Sequence, residues 1–242
     1  MKPPRAVEAV VFDMDGLLVD SESMFRDAMM EATRRRDLDL PLDVFLRMVG
    51  SDEGHTRRVA LAHFGEDFAY EPWMAEIWAL AHARIEVGVA VKAGVVELLD
   101  FLENAGVPRA VATSSGHATV ERQLGPAGLL TRFQAIVAAG DYARGKPSPD
   151  PFLVAAERLG VAPAACLALE DSHNGVRAAH AAGMMTVMVP DLLEATDEMR
   201  GLCLAIAVTL HEVREMLGGK GQTAETPADD GLTSWAARSS GD

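Results

Sequence analysis

The sequence has little cysteine, few positive charges and no long apolar stretch. Its two cysteines, Cys166 and Cys203, do not form a Cys-x-x-Cys pair, so the sequence predicts buried apolar thiols rather than a zinc site or a disulfide framework. The 22 basic residues face 36 acidic ones, which gives a formal net charge of −14. This excess disfavours nucleic acid or an anionic membrane as a main partner, because little positive charge offsets phosphate repulsion.

No apolar stretch approaches the roughly 20 residues that span a bilayer. The first residues also lack a signal-peptide pattern. We therefore expect a cytoplasmic protein with no membrane partner. The 242 residues, 49% of them hydrophobic, suit one large domain or a core with a smaller inserted domain.

An apolar run at residues 9–12 stops abruptly at Asp13, Asp15 and Gly16. Such a run is typical of a short buried strand. Two carboxylates this close repel each other and resist desolvation unless a cation lies between them. Although Asp-x-Asp-Gly also occurs in ordinary turns, the pattern indicates a hard-cation site at the carboxyl end of a central strand, where the glycine permits a sharp turn.

The remaining chain divides into a helical block and an alternating block. Between residues 20 and 88, apolar spacing of three and four predicts four helices and no strand, with Ser21 placed to cap the first. From residue 89 strands and helices alternate, which predicts an α/β fold with a doubly wound, Rossmann-like parallel sheet.

The predicted organisation follows from that division. Residues 1–17 and 89–217 form the α/β core, and residues 18–88 form an inserted helical cap domain. The Gly-, Ser- and Thr-rich segment 218–242 is predicted to be a disordered tail.

Polar residues follow several predicted strands of the core. Asp13, Thr113, Lys146 and Asp171 all fall at or just after a strand end. Because ligands bind at the carboxyl ends of the strands in such sheets, these side chains are expected to form one site.

Four separated elements carry a family resemblance. They are Asp13-Met14-Asp15-Gly16, Thr113, Lys146-Pro147-Ser148-Pro149-Asp150, and Glu170-Asp171 with Gly175. In this order and spacing the chain resembles the haloacid dehalogenase-like (HAD) hydrolase superfamily over residues 7–217. The match is to the branch with a helical cap, which contains phosphatases and β-phosphoglucomutase-like enzymes.

The resemblance implies a magnesium-dependent phosphatase that acts on a small phosphorylated metabolite, with a sugar phosphate as one candidate. Asp13 would attack phosphorus and form an aspartyl phosphate. Asp15 would protonate the leaving oxygen and then deprotonate the attacking water.

The resemblance also assigns the metal and phosphate ligands. Mg²⁺ would be held by Asp13, the backbone carbonyl of Asp15 and Asp171, with Glu170 reaching it through water. Thr113 and the backbone amide of Ser114 would bind the phosphoryl oxygens, and Lys146 would supply a fixed positive charge.

Departures from the family pattern narrow the chemistry. Dehalogenases lack an acid two residues after the nucleophile, whereas this chain has Asp15, which favours phosphoryl transfer. The phosphonate-cleaving relatives use a cap lysine to form a Schiff base, and residues 18–88 contain no lysine, which excludes that reaction. Phe25 and Glu53 stand where mutases carry a histidine and an arginine, which favours a phosphatase. A sugar phosphomutase and a non-catalytic phosphometabolite-binding protein remain alternatives.

Two further expectations concern partners. The cap cations are each candidates for substrate contact: Arg26, Arg47, His55, Arg57, Arg58 and Arg84. The assembly is expected to be a monomer or a weak homodimer.

Overall fold

The computed structural model describes residues 3–49 and 53–218, and the predicted tail beyond Gly218 lies outside the described residues. Its centre is a sheet of six parallel strands in the order β3-β2-β1-β4-β5-β6. The strands are β1 (Ala9–Phe12), β2 (Arg109–Gly116), β3 (Ala135–Ala139), β4 (Cys166–Glu170), β5 (Met185–Met188) and β6 (Ala205–Ile206).

The described residues also form ten α-helices. They are α1 (Ser21–Arg34), α2 (Leu42–Leu46), α3 (Glu53–Phe64), α4 (Tyr70–Val87), α5 (Val95–Asn104), α6 (His117–Leu124), α7 (Asp150–Leu159), α8 (His173–Ala181), α9 (Asp197–Leu202) and α10 (Leu210–Met216). Strands and helices alternate after residue 89, so the predicted α/β fold with a doubly wound, Rossmann-like sheet is confirmed.

Strand β1 lies at the centre of the sheet and its side chains are fully buried on both faces. Val10 and Phe12 pack with Leu98 of α5 on one face, whereas Val11 packs with Phe152 of α7 on the other. A continuous apolar run is what a central parallel strand requires, because helices cover both of its faces.

Helices α1 to α4 bury their own apolar cluster, apart from the sheet. Met29 of α1 packs there with Trp73 and Ile77 of α4, and the Trp73 indole donates a hydrogen bond to Thr33 at 3.1 Å. These helices therefore have an interior of their own, as the predicted cap requires.

The chain leaves and re-enters the core through two adjacent segments. The Asp20 amide donates to the carbonyl of Ala90 at 2.9 Å, and the Lys92 amide donates to the carbonyl of Leu18 at 3.0 Å. Val19 and Val91 form an antiparallel bridge between them. We call these paired segments, residues 18–20 and 90–92, the neck.

Ser21 does not cap α1 as predicted. Asp20 occupies the N-cap position without a side-chain cap hydrogen bond, and Ser21 is the first helical residue. Its hydroxyl is directed to the Asp15 carboxylate instead.

Two further observations concern membrane-spanning helices and the two cysteines. Within the described ranges, no helix combines the length and apolarity needed to cross a membrane. Cys166 is buried and Cys203 is partly buried, and each contacts an apolar cluster as a free thiol.

Candidate active site

The carboxyl ends of β2, β1 and β4 bring the predicted site residues together. Asp13 directly follows β1, Thr113 lies in β2, and Asp171 directly follows β4. These three strands are neighbours in the sheet, and the Asp13 amide donates to the Leu169 carbonyl of β4 at 2.9 Å. All three side chains are buried.

Lys146 lies between the carboxylates of Asp13 and Glu170, the last residue of β4. Its ammonium group is hydrogen-bonded to both Asp13 Oδ1 and Glu170 Oε1. Burial alone would lower the pKa of Lys146, but the two carboxylates outweigh it and hold the pKa above the usual range. The ammonium also lies 5.0 Å from the Phe152 ring centroid, so it is a fixed, charged group of the site.

Glu170 is fully buried and held by the start of α8. Its Oε2 accepts hydrogen bonds from the backbone amides of Asp171 and Ser172, both at 3.1 Å, and from the Ser172 hydroxyl at 3.0 Å. A Cβ atom at Gly175 would lie 1.8 Å from Glu170 Oε1, far inside contact distance. The glycine is thus required for the carboxylate to occupy its place.

Gly16 performs a similar function for Asp171. Its φ of +81° is unfavourable for other residues, and a Cβ there would lie 2.3 Å from Asp171 Oδ2. The turn after β1 and the carboxylate after β4 can therefore approach only because residue 16 has no side chain.

Asp13, Glu170 and Asp171 form a group whose carboxylate oxygens lie within 4.8 Å of one another. Burial raises the pKa of both Asp13 and Asp171 well above the usual range; for Asp13, Lys146 opposes the rise while Glu170 reinforces it. Three hard oxygen donors in a buried, electron-rich pocket fit a divalent cation, which would stabilise their charged forms.

A second acidic group adjoins the first. Glu22, Asp171 and Asp191 also place carboxylate oxygens within 4.8 Å of each other, and Lys92 is bound to Asp191 at 2.5 Å. Burial raises the pKa of Glu22 to about 7, with further contributions from Asp191 and Asp15. Acidic side chains therefore extend from the strand ends toward α1.

Three hydroxyl groups hold the carboxylate of Asp15. Ser21 Oγ donates to Oδ1 at 2.6 Å, Ser115 Oγ donates to Oδ2 at 2.8 Å, and Thr113 Oγ1 lies 3.4 Å from Oδ2. The carboxylate is accordingly fixed between β2 and the first turn of α1. Ser114 is exposed beside it.

A cavity of about 600 Å³ lies between the cap helices and the core. The core contributes Asp15, Ser114, Ser115 and the α6 residues Thr119 and Gln123. Its other walls come mainly from α1, α2 and α4. We refer to this space as the cap cavity.

The cap cations predicted to meet the substrate do not line the cap cavity within the described residues. Arg84 forms an ion pair with Glu31 at 2.5 Å, and Arg57 forms one with Glu71. His55 Nε2 lies 3.1 Å from the backbone carbonyl oxygen of Arg47. Glu22 and Glu53 line the cavity instead.

Sequence reasoning did not identify the three side chains at the edge of the site. Ser115 and Ser21 bind Asp15, and Gln123 faces the cavity from α6. The Thr-Ser-Ser run after the predicted strand was a usable signal for Ser115. The placement of Gln123 depends on how the cap sits over α6, which no local pattern encodes.

The model of the haloacid dehalogenase-like hydrolase family matches residues 7–183. The chain belongs to this family. The fructose-1-phosphate phosphatase YqaB of Escherichia coli is 34% identical over 186 residues, which cover 74% of this chain and 95% of that protein. The protein SUPPRESSOR OF QUENCHING 1 of Arabidopsis thaliana is 37% identical over 77% of this chain, but the chain spans only 18% of its length.

A solved HAD-like relative has the same fold. The crystal structure of CbbY from Rhodobacter sphaeroides, in complex with phosphate, aligns with a TM-score of 0.70 and 27% identity. The alignment covers 86% of this chain and 96% of that chain. Together, the family match and the phosphatase relative identify the protein as an HAD-like phosphatase.

Proposed function

We propose that the protein hydrolyses a small phosphate monoester in a Mg²⁺-dependent reaction that passes through an aspartyl phosphate. One observation carries this proposal: four side chains converge at the carboxyl edge of the sheet, next to a cavity that Asp15 lines. They are Asp13, Lys146, Glu170 and Asp171. An HAD-like phosphatase needs a nucleophilic carboxylate, a metal ligand set and a separate acid–base group, and these residues can supply all three.

In the first step, Asp13 attacks phosphorus and the ester oxygen leaves with a proton from Asp15. In the second step, Asp15 removes a proton from water, which attacks the same phosphorus and releases phosphate while Asp13 is regenerated. The Ser21 and Ser115 hydroxyls orient Asp15 throughout.

Asp13, Asp171 and the Asp15 backbone carbonyl would hold Mg²⁺, with Glu170 reaching it through water. The ion, when bound, would neutralise charge on the phosphoryl oxygens. Lys146 favours the ionised form of Asp13 and adds fixed positive charge, while Thr113 and the Ser114 amide donate hydrogen bonds to the phosphoryl group.

The lining of the cap cavity supports hydrolysis over the mutase alternative. A sugar phosphomutase must hold a second, distal phosphate, whereas Glu53 lines the cavity and Phe25 packs on Trp78 with ring centroids 5.0 Å apart. Intact carboxylates at the strand ends likewise argue against a non-catalytic phosphometabolite-binding protein. The cytoplasmic location and the monomeric or weakly dimeric state stay predictions.

The decisive experiment compares Asp13→Asn, Asp15→Asn and Asp27→Asn with an aryl phosphate as substrate. Asp13→Asn should lose turnover by at least about a thousandfold and form no phosphoenzyme, because the anionic oxygen is gone. Asp15→Asn should still accept the phosphoryl group from a good leaving group but release it slowly, so acid-quenched mass spectrometry should detect an 80 Da adduct, about the mass of one phosphoryl group, on Asp13.

Asp27→Asn is the matched control, because that carboxylate is exposed on α1 and pairs only with the neighbouring Arg26 in the described structure. It should behave like the parent. Normal turnover in Asp13→Asn, or full activity after chelation of divalent cations, would contradict the proposal.

A further inference from the structure

The cap cavity is predominantly apolar on the side contributed by the cap. Phe25 and Trp78 line it with ring centroids 5.0 Å apart and planes tilted by 56°, and Met29, Met48 and Met74 also line it. Aromatic and thioether groups contact apolar carbon surfaces well, and methionine adapts to their shape.

Apart from His82, the residues with charged side chains that line the cap cavity are acidic. Asp15, Glu22 and Glu53 contribute carboxylates, and no lysine or arginine lines it in the part of the chain that the structure describes. Lys146 is engaged by Asp13 and Glu170 at the strand ends, outside this lining. A second phosphate or carboxylate on a substrate would therefore meet repulsion without a compensating cation.

Two buried polar atoms on the cavity wall have no hydrogen-bond partner among the described residues. They are the hydroxyl of Tyr70 and Oε1 of Gln123, and both side chains are at least nine-tenths buried. An unpaired buried polar atom costs free energy, so native proteins rarely leave one without a partner. Both atoms are themselves buried, so they lie behind the surface of the cavity and give no information about its ligand.

We infer that the preferred substrate is a phosphate monoester of a largely apolar, ring-containing alcohol that carries no second anionic group. Its phosphoryl group would lie at the strand ends beside Asp15, and its apolar body would occupy the cavity against Phe25 and Trp78. At about 600 Å³ the cavity is large enough for an arylalkyl group of this kind. This inference rests on the proposed phosphatase reaction and specifies its substrate class.

The test uses three primary alkyl phosphates, so that the leaving oxygens are alike. They are phenylpropyl phosphate, its para-carboxylated analogue and glycerol phosphate. We expect kcat/KM for phenylpropyl phosphate to exceed that for each of the other two at least tenfold. An equal or higher value for glycerol phosphate or for the carboxylated analogue would overturn the inference, and so would hydrolysis of the aryl phosphate with no hydrolysis of any of the three. Failure to hydrolyse the aryl phosphate as well would instead refute the proposed reaction.

Cavity variants then locate the source of the preference. Trp78→Ala should lower the phenylpropyl-to-glycerol ratio of kcat/KM at least tenfold, and Glu53→Gln should raise kcat/KM for the carboxylated analogue several-fold. Leu42→Ala is the control, because Leu42 is an exposed cap residue that does not line the cavity. It should leave the ratio unchanged. An unchanged ratio in Trp78→Ala would show that this wall does not select the substrate and would overturn the inference.

Discussion

The strand ends and the cap cavity meet at Asp15, but different interactions stabilise them. At the strand ends, Asp13, Lys146 and Glu170 are buried and bound to one another, and glycines clear the space that the carboxylates occupy. In the cap cavity the walls contributed by the cap are largely apolar, with Glu22 and Glu53 among them. The difference suggests that substitutions at the strand ends should have large, all-or-none effects, whereas those in the cavity should change selectivity by degrees.

The largest expected effect follows removal of the buried cation. Lys146→Met would leave Asp13 and Glu170 as adjacent buried carboxylates without their counter-charge. We expect the free energy of unfolding to fall by about 3–5 kcal/mol and turnover to fall on the order of a hundredfold or more. Urea denaturation and phosphatase kinetics would measure the two effects.

Arg177→Met is the control for that variant. Arg177 pairs with Glu198 at the surface, where both side chains are more than one third exposed. An exposed pair contributes at most about 1 kcal/mol, so this variant should resemble the parent. If both substitutions cost the same, the strand-end site is not the tightly coupled unit described above.

A smaller effect is expected from one added methyl group. In Gly175→Ala the new Cβ would overlap the Glu170 carboxylate, which the amides of Asp171 and Ser172 hold in place. We expect a loss of about 1–3 kcal/mol in the free energy of unfolding, since the carboxylate must shift. Thermal and urea denaturation would report it.

Gly201→Ala provides the matched comparison. Gly201 lies in α9, and a Cβ there would meet no atom within 4 Å. Because alanine favours a helix more than glycine does, this variant should gain up to about 1 kcal/mol. A Gly175→Ala protein as stable as Gly201→Ala would disprove the steric account.

The smallest effect concerns Glu22, which lies where the two regions meet. Its pKa is raised to about 7, so between the unfolded pKa near 4.5 and this value the unfolded chain ionises first. Glu22 thus lowers stability as pH rises through that window. In metal-free protein, Glu22→Gln should match the parent at pH 4.5 and exceed it by on the order of 1 kcal/mol at pH 8.

Urea denaturation at the two pH values, with a chelator present, would measure this difference. A divalent cation beside Asp171 should reduce it, because the ion would stabilise the charged form of Glu22. A gain that is equal at both pH values would indicate a packing effect rather than ionisation.

The sequence contained enough information to predict the architecture of the strand ends. The run from Ala9 to Phe12 is long enough only for a buried strand, and the acidic residues after it mark where the strand stops. Local chemistry also predicted that Asp13, Thr113, Lys146 and Asp171 would converge, since parallel strands end at one edge. These inferences depend on short-range patterns that the fold preserves.

Other features depend on long-range packing and were not predictable. Helix α9 has no clear signal in the sequence, because Asp197–Leu202 is short, polar and without a clear apolar period. The cap cations were expected near the substrate, but Glu31 and Glu71 bind Arg84 and Arg57 away from the cavity. Which charges neutralise each other across helices is decided by tertiary structure, so sequence alone could not exclude them.

The neck has a consequence for how such a protein can change. Residues 18–20 and 90–92 run side by side, so the two ends of the intervening 69 residues, 21–89, are joined by backbone hydrogen bonds. The hydrogen bonds at the neck hold the two ends of the insertion together. The core is therefore constrained by the insertion much as it would be by a tight hairpin, whatever the length of the insertion. An insert of another size or fold could be exchanged at this junction while the strand register beneath it stayed the same.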